Sequence, residues 1–292
     1  MIKRLSFYLT LPIIFFLSKL PDPVFYGFSN LVAFLLRDVI HYRSKIVTEN
    51  LQRSFPDKTE AQIRETRIGF YRNLSDTLLE SLKMGSLSKT EITRRFQIKG
   101  LDAVKDYHDK GRTVVVVTGH YANWEWAALA IGAAYQKTPV IIIYQPMSNP
   151  YYEAYINGMR ARFGSVIVAA KNVLRQIASQ QSEPSIIILV ADQSPTSANK
   201  NHSMQFLNQE TVINSGPEKI SRMTNAVVMF GEINRLARGY YEANLVPLVA
   251  EPAKASVNQI TEAHVHHLES LIQKKPADWL WSHRRWKLQQ QA

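Results

Sequence analysis

The spacing of hydrophobic and polar positions changes several times along the chain, and each change marks a new element. Two apolar runs open it, "LSFYLTLPIIFFL" at 5–17 and "VFYGFSNLVAFLL" at 24–36. Neither reaches the roughly 20 residues that a bilayer-spanning helix needs. Between 59 and 84, Ile63, Ile68, Tyr71, Leu74, Leu78 and Leu82 recur at helical spacing and stop before Gly85, which predicts one long helix. Short apolar runs follow: "TVVVVT" at 113, "PVIIIY" at 139, "SVIVA" at 165, "SIIILVA" at 185, "AVVMFG" at 226 and "ANLVPLV" at 243. Most of these read as buried strands, with helix-like stretches at about 122–135, 149–163, 171–181 and 215–225 between them. The alternation predicts an α/β fold, a largely parallel sheet flanked by helices. No repeat or Pro/Gly linker divides the chain after residue 45, so the expected organisation is an apolar N-terminal anchor (1–40) and one domain (41–292).

Composition narrows the partners. The chain has 292 residues, is 46% hydrophobic and carries 35 Lys and Arg against 24 Asp and Glu, a formal charge of +11. That excess favours anionic partners: nucleic acid, anionic lipid or an acidic protein. The absence of cysteine excludes disulfides, thiolate metal sites and a cysteine nucleophile. Arg37, His41, Arg43 and Lys45 follow the apolar runs and would lie beside anionic head groups if those runs are embedded. The runs fit a tilted span, a re-entrant hairpin or two interfacial helices, with a buried hairpin of core helices as the alternative. A cleaved signal peptide lacks its small-x-small site here.

Candidate chemistry sits where "VVVVTGHYANWEWAAL" (114–129) turns from strand to helix, at the sheet edge where ligands gather in such folds. His120 and Glu125 are five apart, roughly 140° around a regular helix. They meet only if His120 lies in the turn and Glu125 in the first turns of the helix. So placed, the imidazole suits general-base work near neutral pH, and the carboxylate would fix its tautomer. A strand-capping histidine beside an unrelated helix glutamate is the plainer reading of the same residues. Asp192 and Gln193 end the "SIIILVADQ" strand, as substrate-binding groups or as a turn-forming Asp-Gln-Ser-Pro. Gly216 and Pro217 open a helix whose amides can receive an anion, or which they simply initiate. Trp279, Trp281, His283, Arg284, Arg285 and Trp286 interleave aromatic and basic residues, suited to a membrane interface, nucleic acid or a structural corner.

His-x4-Glu after a valine-rich strand resembles the His-x4-Asp/Glu motif of the glycerolipid acyltransferase superfamily. Within it the chain most resembles the late acyltransferases of lipid A biosynthesis. The resemblance rests on "ENLQRSFPDKTEAQIRE" from 49, "GHYANWE" from 119, "YQPMSNPYYEAYINGMRARFG" from 144, "ADQSP" from 191, "SGPEKISRMTNAVV" from 215 and "PADWLWSHRRWK" from 276. It implies that His120 deprotonates an acceptor hydroxyl that attacks an acyl thioester, with Glu125 as acidic partner and no acyl-enzyme. Arg160 or Arg162 corresponds to the family's basic element, suited to clamp phosphate or stabilise developing charge; the two are otherwise the polar edge of a helix. Asn123, Asp192, Gln193 and Gly216 complete the expected substrate-binding set. The Trp/Arg-rich C-terminal segment reads as mainly structural. The implied donor is acyl carrier protein and the implied acceptor a lipid A precursor, at the cytoplasmic face of a bacterial inner membrane, with no metal, cofactor or nucleic acid. One departure concerns "QFLNQETVINSGP": Leu207, Asn208 and Gln209 stand where the family often has an aromatic and a glycine. Other envelope lipids as acceptor and acyl-CoA as donor therefore stay open. A membrane-associated nucleic-acid binder is the reading from another class, without a recognisable DNA- or RNA-binding signature to carry it.

Overall fold

In the computed structural model, which describes residues 2–179, 183–195 and 202–288, helices α1 (Ile2–Lys19) and α2 (Asp22–Phe34) come first, and α2 runs on through a π-helical turn at Leu35–Val39. Next are α3 (Ser44–Ser54), α4 (Glu60–Lys83), α5 (Lys89–Arg95), β1 (Phe96–Lys99), α6 (Leu101–Asp109), β2 (Val114–Thr118) and α7 (Trp124–Ala134). The chain continues with β3 (Val140–Tyr144), α8 (Pro150–Arg160), β4 (Val166–Ala169), α9 (Val173–Ser179) and β5 (Ile186–Val190). It closes with β6 (His202–Phe206), β7 (Gln209–Ile213), α10 (Gly216–Thr224), β8 (Val227–Ala237), β9 (Tyr240–Val249) and α11 (Gln259–Lys274).

Seven strands form one sheet in the order β1-β9-β8-β2-β5-β3-β4, parallel at every pairing except β8 with β9. The expected α/β architecture with a largely parallel sheet is therefore present. β2 lies at its centre, and its four valines explain why: with no polar residue among them, they need cover on both faces. Val114 and Val116 pack with Val104 of α6 and Ala128 and Ile131 of α7, while Val115 and Val117 pack with Ile220 of α10 and Ile260 of α11. Burying each valine is worth about 1.5 kcal/mol or more. The long helix predicted over 59–84 is α4, started by a capping box in which Thr59 and Gln62 satisfy each other's amides. β8 and β9 run beyond their apolar cores as an antiparallel hairpin, and β6 pairs with β7 in a separate ribbon.

The first helices share the core of the rest. Phe25 of α2 is fully buried under the Lys83 ammonium, 4.3 Å from its ring centre, and Asp22 bridges Lys83 (2.9 Å) and Arg95 (2.6 Å). Phe7 of α1 packs among Tyr151, Tyr152 and Tyr155 of α8. Their outer faces are apolar and exposed: Leu9, Ile13, Phe15 and Phe16 on α1, and Val24, Leu31 and Phe34 on α2. Among the described residues no single helix is long and apolar enough to cross a membrane; α2 with its π turn and α3 meet that criterion only together, bent by 87°.

Candidate active site

The central strand delivers the chain into a tight turn. Gly119 follows β2, and a Cβ there would lie 2.8 Å from Leu268 Cδ1 of α11 and 3.4 Å from Asp192 Oδ2, so a larger residue would have to displace the Leu268 side chain. Ala122 adopts a left-handed conformation (φ 50°), which costs an L-residue about 1–2 kcal/mol. Flanking bonds hold it there: its N–H donates to Asp278 O (2.8 Å) and its carbonyl accepts from Thr77 Oγ1 (3.2 Å). Asn123 then caps α7, its side-chain oxygen accepting from Trp126 N at 2.8 Å.

This turn aims His120 at a buried carboxylate. His120 Nδ1 lies 2.6 Å from Asp192 Oδ1, the His120 amide donates to Asp192 Oδ2 (2.9 Å), and Trp279 Nε1–H donates to the same oxygen (2.8 Å). Burial pushes the Asp192 carboxyl upward, but the facing His120 and the donated hydrogen bonds outweigh it and hold the group down to about 2. An ionised carboxylate only accepts, so the imidazole proton sits on Nδ1 and Nε2 carries the lone pair, which accepts from the Gln193 amide in the absence of a substrate hydroxyl. Gln193 Nε2 lies 3.3 Å from that nitrogen, and the Trp124 ring packs edge-on against the imidazole with centroids 5.1 Å apart.

Nε2 belongs to a cleft of about 510 Å³ at the C-terminal ends of β3 and β5. His120, Glu125, Arg160 and Gln193 are among its polar lining residues, with Gln145, Ser194 and Asn214, while Ala128, Ile142, Leu189 and Ile220 supply apolar wall. Glu125 and Arg160 form a two-pronged ion pair, Nε to Oε2 at 2.8 Å and Nη2 to Oε1 at 2.6 Å, with Nη1 of Arg160 on Asn157 Oδ1 at 3.2 Å. Among the described residues no cluster of three or more His, Asp or Glu side chains is arranged to hold a metal ion.

Several expected roles change in place. The partner of His120 is Asp192, not Glu125: Glu125 sits in the first turn of α7 and is engaged by Arg160 from α8. Asp192 thus orients the imidazole from behind and does not line the cleft, whereas Gln193 does. Asn123 is fully buried, its amide nitrogen donating to Glu80 Oε2 (2.6 Å), so it positions the turn rather than touching a ligand. Glu80, itself buried, also accepts from Tyr26 of α2 (2.8 Å) and Tyr241 of β9 (2.7 Å), and burial pushes its carboxyl up. Of the two arginines, Arg160 faces the cleft; Arg162 points outward, donating to the Met84 carbonyl with its guanidinium over Phe163. Gly216 lines the cleft, but its amide is taken by Asn214 Oδ1 (2.9 Å) and is not free for an anion. The contact of Trp279 with Asp192 has no signature in sequence, because it joins residues 87 positions apart.

The bacterial lipid A biosynthesis acyltransferase family model matches residues 1–288 of the chain. The chain belongs to this family. The acyltransferase is 24% identical over 277 residues to the lipid A biosynthesis palmitoleoyltransferase of Escherichia coli, covering 92% of this chain and 87% of that protein. It is 22% identical over 283 residues to the lauroyltransferase of the same organism, covering 96% and 90%. A lipid A biosynthesis acyltransferase of Haemophilus influenzae matches at 23% over 234 residues, covering 80% and 72%.

Proposed function

We propose that this enzyme moves a fatty acyl chain from an acyl carrier protein thioester to a hydroxyl of a lipid A precursor, with His120 as general base. The observation that carries the reading is the anchoring of His120 Nδ1 by buried Asp192, which leaves Nε2 in the cleft. The acceptor hydroxyl gives its proton to Nε2 as its oxygen attacks the thioester carbonyl. The tetrahedral oxyanion collapses to the ester and expels the thiolate, which takes the proton back from the imidazolium. Asp192 stabilises the imidazolium, and Arg160 and Gln193 are the cleft donors suited to the oxyanion or to an acceptor phosphate. Donor and acceptor bind together, because the histidine acts as base and forms no acyl-enzyme.

The net charge of +11 suits both an acidic carrier protein and a phosphorylated lipid. The exposed apolar faces of α1 and α2, bordered by Arg4, Lys19 and Arg43, suit a seat on an anionic bilayer, at the cytoplasmic face of the inner membrane. The test is mass spectrometry of lipid A from a host lacking its late acyltransferases, with this enzyme or its His120→Ala variant. One added acyl chain that disappears in the variant is the expected result. No added chain from a membrane-associated wild-type enzyme moves the acceptor to another lipid.

A further inference from the structure

The aromatic and basic segment near the C-terminus does more than fill a corner. Four hydrogen bonds tie residues 278–283 to the two loops that carry His120 and Asp192, two of them forming a β-bridge. Ala122 N–H donates to Asp278 O (2.8 Å), Leu280 N–H donates to His120 O (3.1 Å), and Tyr121 forms an antiparallel bridge with Trp279. Ser194 N–H donates to His283 Nε2 (3.1 Å), and Trp279 Nε1–H donates to Asp192 Oδ2 (2.8 Å). The loops come from different strands, β2 and β5, and the segment spans the gap between them.

We infer that Trp279 is a positioning residue for acyl transfer, fixing Asp192 so that the His120 imidazole stands at the bearing the reaction needs. The carboxylate receives three donors on two oxygens, and two of them come from His120 itself. Without Trp279, the remaining hydrogen bonds to the carboxylate among the described residues come from His120, the group it has to orient. Trp279 is 2% exposed and packs edge-on against Trp281 (4.7 Å) and Phe206 (5.8 Å), so its indole N–H has one fixed direction. Handing over a hydrogen bond to a charged group from a rigid ring is the arrangement that pre-organises a site.

The inference rests on His120 being the base, and the experiment separates the two ideas. Trp279→Phe keeps an aromatic ring and removes the donor. Trp286→Phe is the matched control, since Trp286 is 4% exposed in the same cluster but donates to Thr211 Oγ1 (2.7 Å). Transfer from lauroyl- and palmitoleoyl-acyl carrier protein to lipid A precursor is followed in membranes holding the full chain. Trp279→Phe is expected to lower kcat roughly ten- to a hundredfold with little change in KM, while Trp286→Phe leaves kcat near wild type.

The pH profile adds a readout that loss of packing does not move. With one donor fewer, the Asp192 charge is less offset and favours the imidazolium more, so the acidic limb of kcat/KM moves to higher pH. Among the described residues, the other charged or titratable groups facing Asp192 are His264, His283 and Arg285. Burial pushes both histidines down to about 4, so they stay neutral across the limb, and it lowers Arg285 only to about 10, so that residue stays cationic. Equal losses in the two variants, with the limb unmoved, overturn the inference, as does wild-type turnover by Trp279→Phe. His120→Ala is assayed alongside: its retaining activity removes the base itself, whereas its silence beside a fully active Trp279→Phe removes only the role of Trp279.

Discussion

Replacing Asp192 by Asn tests the geometry at its most demanding point. The carboxylate accepts from His120 Nδ1, the His120 amide and Trp279 Nε1, and an amide has one oxygen where the carboxylate has two. Whichever way the substituted amide turns, its NH2 faces at least one of these donors. If it faces Nδ1, the imidazole must move its proton to Nε2, and the lone pair leaves the cleft. A tautomer fault of this kind costs about 10⁴-fold in the serine protease triad, and a loss of about 10³-fold or more in kcat is expected here. Lowering the carboxyl from 3.8 to about 2 corresponds to roughly 2 kcal/mol in favour of the ionised form in the fold. Asn cannot ionise, so a comparable destabilisation is expected, seen as a fall of roughly 3–4 °C in Tm. In the wild type this contribution is present above the ordinary carboxylate range and is lost as pH falls through about 2. Acyl transfer in isolated membranes and thermal unfolding of detergent-purified protein are the assays. A folded Asp192→Asn enzyme with more than about a tenth of wild-type kcat would refute the assignment of Asp192 as the group that fixes the tautomer.

Two other outcomes concern groups farther from the base. Glu125→Ala and Arg160→Ala each strand a mostly buried charge (side chains 15% and 17% exposed), so each should destabilise the fold and lower transfer; the double variant should fall short of the sum by about 1 kcal/mol or more in denaturant titrations, and strict additivity would show that the pair is not coupled. Phe15→Glu with Phe16→Glu places charge on the exposed face of α1 while leaving Phe7 and Ile14 packed; co-sedimentation with anionic vesicles should drop sharply, and unchanged sedimentation would mean that another surface meets the lipid.

Much of the fold was legible because the strands announce themselves. β2, β3, β4 and β5 fall within one residue of the apolar runs at 113, 139, 165 and 185, since a strand covered on both faces needs an unbroken apolar run. β6, β7 and β1 were not legible: "HSMQF", "QETVI" and "FQIK" alternate with polar residues and lie in a ribbon or at a sheet edge. At the site, spacing located His120 at the break before α7 but misassigned its partner. Glu125 is five residues away in sequence, whereas Asp192 is 72 away and arrives only because β5 pairs beside β2. A local motif records chain distance, and the hydrogen bond depends on strand order. Asn123 misled for a related reason: within the motif its polarity reads as ligand contact, yet its amide is consumed in capping α7 and meeting Glu80.

Glu80 makes α2 and the turn that carries His120 parts of one frame. It takes hydrogen bonds from Tyr26 on the apolar-faced α2 and from Asn123 at the start of α7. The elevation of the His120 imidazole above that outer face is thereby a constant of the fold. On the proposed reading, with α2 seated on the bilayer and His120 as base, an acceptor hydroxyl that sits too deep or too shallow would miss the lone pair. Selection among chemically similar hydroxyls would then follow from altitude as much as from recognition.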